Sequence, residues 1–197
     1  MSKSDPASHK KERNKAIRWV VTIFFVTIFI SGAISLASDI IMENSSMPVA
    51  FLILLVIILI GIMFDIIGVA VTSADETPFH AMAARKVRGA KEAIWLLRRA
   101  ERVSSICNDV VGDICGVVSG SASAAIAVQL LNKFEFSWPN LVTLLMSSLV
   151  AGLTVGGKAI GKTFAVNSST DIVFSVGKSI VWLSDLTELF RKEKKKR

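Results

Sequence analysis

Four side chains carry oxygen ligands into apolar surroundings: Asp65, Asn108, Asp109 and Asp113. Asp65 is the only charge between Val49 and Ala74. Roughly 20 apolar residues cross a bilayer as a helix, so this carboxylate falls inside a span, where it costs at least ~2.5 kcal/mol on insertion scales. Such a group is expected to face a wet cavity or the bundle interior, where a cation or a proton relieves the cost. Asp109 and Asp113 are four apart and would share one helix face. Three carboxylates and an amide suit a hard divalent cation such as Mg²⁺. Asp109 has a second reading, as an interfacial partner of Arg102 or Arg99. Gly156-Gly157 would weaken its helix and free carbonyls toward the site.

Other chemistry finds little support. There is no His or Cys cluster for a softer metal, and no phosphate loop, nucleophile elbow or HExxH. No His lies near Ser119, Ser121 or Ser123, which read as packing residues, and His80 reads as a surface group. An intramembrane acid–base pair of aspartates is a weak third reading, and the chain is not expected to be an enzyme. Cys107 and Cys115 lie about 12 Å apart along one helix, too far for a disulfide.

These residues must be positioned by a helical membrane protein. The chain has 197 residues, is 52% hydrophobic and has a mean hydropathy of +0.56. Its net charge of +7 flanks apolar runs, as topology requires, and does not indicate nucleic acid. The expected fold is all-α, with four transmembrane helices, cytoplasmic interfacial helices and a C-terminal amphipathic juxtamembrane helix. Residues 1–17 read as a disordered basic cytoplasmic tail, and 18–38 as a first span anchored by Arg18 and Trp19. Residues 39–47 lack Lys and Arg and read as an outside loop.

Pro48 opens the second span, which ends near Thr72. Residues 73–103 are rich in Arg and Lys and read as inside. Within them, helices are expected at about 77–87 and 90–100, with Ile94, Trp95 and Leu97 toward lipid. The third span is Ser104 to Asn132, followed by an outside turn at 133–140. The fourth runs from Leu141 to about Ile160. Gly112, Gly116 and Gly120, and again Gly152 and Gly156, form small-residue stripes that let helices approach closely. Lys158 and Lys162 read as snorkelling to headgroups. Residues 168–197 read as an amphipathic helix and basic tail on anionic lipid. Both termini are then cytoplasmic, in a multi-pass protein of the cell membrane.

The order of segments over 49–191 resembles the membrane domain of the CorB/CorC and cyclin M (CNNM) magnesium transporters. That family's first span ends in a phenylalanine and small-residue run, then S-E-T-A, a serine, and a helix closing in R-G-A-K. Here stand Phe64-Asp65-Ile66-Ile67-Gly68-Val69-Ala70, then Ser73, then Arg88-Gly89-Ala90-Lys91. The family's last span closes G-E-x-x-P-K-T, and here it reads Gly157-Lys158-Ala159-Ile160-Gly161-Lys162-Thr163. The family's glutamates fall at Gly68 and Lys158, its proline at Gly161. Asp65 stands where the family usually has a serine implicated in cation binding. Its asparagine pair aligns with Gly112-Asp113, or a turn away toward Asn108.

The resemblance implies a three-span domain at 48–167, preceded by an extra helix at 18–38, and adds Ser73 to the candidate metal ligands. It also implies Mg²⁺ as the bound and transported ion, and a homodimer. The family's CBS domains do not follow, so nucleotide regulation would be absent or supplied by a separate cytoplasmic protein. The leading expectation is a divalent-cation transporter with a site made of Asp65, Asp113, Asn108, Asp109, Ser73, Gly156 and Gly157. The alternative is a non-transporting membrane subunit that holds or regulates a partner.

Overall fold

The computed structural model describes residues 6–43, 45–134 and 138–194. Among these all regular structure is helical, in the order α1 (Pro6–Glu43), α2 (Met47–Ser73), α3 (Thr77–Ala84), α4 (Ala90–Leu97), α5 (Ala100–Ser105), a π-helical turn (Ile106–Gly112), α6 (Asp113–Lys133), α7 (Pro139–Asn167) and α8 (Ser169–Lys194). Four segments are long and apolar enough to cross a membrane: Ile17–Ser38, Met47–Ser73, Ala100–Lys133 and Pro139–Asn167. The chain is a multi-pass helical membrane protein. Proline falls in the first turn of α2, α3 and α7, where its missing N–H would have no intrahelical partner in any case.

α2 is the hub, in contact with α5, the π turn, α6, α7 and α8. It is apolar all round, yet one stripe is buried: Ala50, Leu54, Ile58, Gly61, Asp65 and Gly68. The spacing of three and four keeps these on one helix face. At one end Ala50, Leu54 and Ile58 pack with Ala122, Ile126 and Val150. At the other, Ala70 and Val71 join Phe79, Ala93, Leu96, Ala165 and Val173 from α3, α4, α7 and α8. Asp65 lies between the two clusters. α1 is peripheral and packs on α6, where Ile23 and Ile57 meet Val110, Ile114 and Val118.

α3, α4 and α8 form a cap at one end of the bundle. Lys86 (φ 57) and Gly89 (φ 91) turn the chain from α3 into α4. α8 docks on α4 where Gly177 meets the Gly89 carbonyl so closely that a Cβ would collide with it. Val173 and Gly177 are buried there, while Trp182 and Leu183 are exposed. Arg88 and Asp185 form an ion pair across this contact.

Several boundaries differ from those expected. α1 extends back to Pro6, through a stretch rich in Ala, Lys, Glu and Arg, which are good helix formers. Only residues 1–5 of the expected tail lie outside the described residues, as do 135–137 of the outside turn and 195–197 of the basic tail. The second interfacial helix stops at Leu97, and the third span begins at Ala100. Ile94 and Leu97 are half-buried, packed in part against the inner cluster, and Trp95 is half exposed. α7 runs unbroken to Asn167, so Gly156-Gly157 frees no carbonyls: both glycines keep the helical ladder.

Candidate functional site

Asp65 is 4% exposed. The charge that offsets it is built into the chain. Lys158 Nζ lies 3.8 Å from Asp65 Oδ1, and Lys162 Nζ lies 3.9 Å from Oδ2. The two lysines are one turn apart on α7. Their helix comes close because Gly157 and Gly161 leave room for Ile62 and Ile66 of α2. Gly112 borders the same cluster, since a Cβ there would lie 3.3 Å from Lys158 Nζ and 3.9 Å from Asp65 Oδ1.

Both distances are those of ion pairs and exceed the ~3.2 Å reach of an N–H···O hydrogen bond. The carboxylate is thus compensated in charge but incompletely bonded: Asp65 Oδ2 has no hydrogen-bond partner. At an effective dielectric constant near 20, each ammonium about 4 Å away contributes ~4 kcal/mol of attraction. Two such charges around one carboxylate leave the cluster net positive. Lys162 is the more exposed partner, with a side chain 56% exposed against 20% for Lys158.

Asn108 lies beside the carboxylate's helix. Its side chain fills the space Gly68 leaves by lacking a Cβ, one turn from Asp65 on the same face. Asn108 Nδ2 donates to Ser104 Oγ at 3.2 Å, while Asn108 Oδ1 has no partner. Asn108 sits in the π-helical turn, whose i→i+5 bonding opens the helix by one residue; such turns concentrate at functional sites. Two buried oxygens without donors, Asp65 Oδ2 and Asn108 Oδ1, therefore occur on facing elements. Buried acceptors of this kind are rare, and oxygens without hydrogens are what a hard cation takes as ligands.

The other expected ligands are placed elsewhere. Asp109 and Asp113 are both exposed and neither turns into the buried cluster around Asp65. Asp109 Oδ2 accepts from Ser105 Oγ at 2.8 Å. The arginines expected to pair with it stack on tryptophans instead, Arg99 over Trp95 and Arg102 over Trp19. Ser73 is exposed at the end of α2, Gly156 faces open space and Gly157 serves packing. Among the described residues no group of three or more Asp, Glu, His or Cys side chains gathers around one point. The residues that sequence reading did not bring to the site are Lys158, Lys162 and Gly112.

Ser119, Ser121, Ser123 and Thr154 each donate to a carbonyl three or four residues back in their own helix. Cys107 and Cys115 are free thiols. His80 is exposed, 3.4 Å from Glu76 Oε1. A comparison with protein-family models finds none that matches the chain, and a comparison with curated proteins likewise finds no match.

Proposed function

We propose that the chain is the membrane domain of a divalent-cation transporter of the Mg²⁺ type, in which Asp65 takes the ion once Lys158 and Lys162 withdraw. The observation that carries this reading is the pair of buried oxygens left without donors, Asp65 Oδ2 and Asn108 Oδ1. Mg²⁺ keeps several waters and needs only one or two protein carboxylates, so a carboxylate, an amide oxygen and water make a sufficient set. The lysines act as resident counter-charges that hold Asp65 when no ion is present and leave as it arrives. In the CorB-like pattern a serine stands at 65 and a glutamate at 158; here the carboxylate has crossed to α2 and a lysine replaces it. In this reading the protein lies in the cell membrane as a homodimer with both termini cytoplasmic. Flux measured metal by metal with purified chain in vesicles tests it, and Mg²⁺-dependent flux is the expected result.

A second reading is favoured by the same lysines. Two fixed cations already offset Asp65, so the cluster would also serve as a static lock in a non-transporting subunit. That reading expects no flux with any divalent metal and a partner that co-purifies in fixed stoichiometry.

A further inference from the structure

Where α4 turns into α5, an open basin of about 780 Å³ is lined by Lys91, Arg98, Arg99 and Arg102, with Glu101 the one acidic residue. Arg98 is committed to Glu76 at 2.9 Å. Arg99 and Arg102 are held differently. The Arg99 guanidinium lies 4.5 Å over the Trp95 ring and that of Arg102 5.6 Å over Trp19, as cation–π contacts. Among the described residues neither pairs with a carboxylate. A guanidinium held over an aromatic ring by cation–π attraction makes no N–H···O bond to it, so its donors stay available to grip a phosphate through two bonds.

The basin is not purely polar. Ile94, Trp95 and Leu97 supply an apolar wall. Its level in the bilayer is set independently by Trp19, which lies near the start of the span Ile17–Ser38, since tryptophans mark the membrane–water boundary. We propose that this basin binds the phosphate of an anionic phospholipid, with Arg99, Arg102 and Lys91 on the headgroup and the first acyl carbons against Trp95. Cationic rim and apolar wall together fit a lipid; a free phosphate would use only the rim. Because Arg102 touches α1 through Trp19 and leads directly into the π turn, a bound lipid ties the peripheral helix to the segment that carries Asn108. The basin shares no residue with the Asp65–Lys158–Lys162 cluster.

Lipid binding to the purified full chain in detergent tests this, by native mass spectrometry with phosphatidylglycerol, phosphatidylcholine or glycerol phosphate added. Phosphatidylglycerol is expected to bind at least about tenfold more tightly than phosphatidylcholine. R99Q/R102Q should lower that affinity about tenfold or more, at the strength typical of basic residues near anionic headgroups. K91Q, on an exposed position, should lower it about threefold to fivefold and serves if the double variant does not fold. R85Q/K86Q, outside the basin, should leave it unchanged. Equal binding of the two lipids, equal loss in basin and control variants, or displacement of lipid by glycerol phosphate at matching concentration would each overturn the proposal.

Discussion

Asn108 occupies the space that a side chain on residue 68 would need, so Gly68 and the π-helical turn are fitted to each other. G68A should push Asn108 out of place and destabilise the protein by about 1–3 kcal/mol, the usual range for overpacking. In an N108A background the same substitution should cost little. A thermal-unfolding double-mutant cycle in detergent measures the coupling; additive effects would mean that the two residues do not share this space.

The lysines make a separate prediction. K158M/K162M leaves Asp65 buried with neither cation, and stranding a buried charge costs about 3–5 kcal/mol. K162M alone should cost less, because its side chain is half exposed. In the double variant Mg²⁺ should become the counter-charge, raising the melting temperature more than it does in the wild type. An unchanged response to Mg²⁺ would separate the cluster from cation binding.

The cap combines apolar packing with a close backbone approach of α8 to α4. G177L places a side chain against the Gly89 carbonyl, which is fixed by its turn. It should release α8, seen as faster proteolysis of the C-terminal segment. D185N removes the exposed pair to Arg88 and should change stability by under ~1 kcal/mol, as exposed ion pairs do.

Asp75 gives a pH dependence outside the spans. The Thr77 backbone N–H donates to Asp75 Oδ1 at 3.2 Å and the Thr77 hydroxyl at 3.1 Å. These bonds, the backbone one first, hold its carboxyl below the usual 3.8. A carboxylate with a lowered folded pKa stabilises above its unfolded value and loses that contribution as pH falls through the folded one. The protection of the Thr77 amide, its exchange relative to the intrinsic rate at each pH, should therefore be high near pH 6 and fall below about 3.8. D75A should show low protection of the Thr77 amide at both pH values.

The spans, their order and the break before α8 were legible because hydropathy and length decide them. The inward face of α2 was harder to read, since apolar residues surround the whole helix. Its sequence mark is small: Ala50, Gly61 and Gly68 at helical spacing with Asp65. The exposure of Asp109 and Asp113 was not legible, and nothing in ICNDVVG announces a π turn. Lys158 and Lys162 look like headgroup anchors in the sequence because they stand near a helix end. Their complement was visible, though: an acid where the CorB-like pattern has serine, and a base where it has an acid.

The most direct test of the cation reading is divalent-cation flux into vesicles holding purified D65N protein, with folding checked by its helical spectrum and elution. The substitution keeps shape and removes the charge. Flux seen with the wild type should vanish in D65N, and undiminished Mg²⁺ flux through a folded D65N protein would contradict the account.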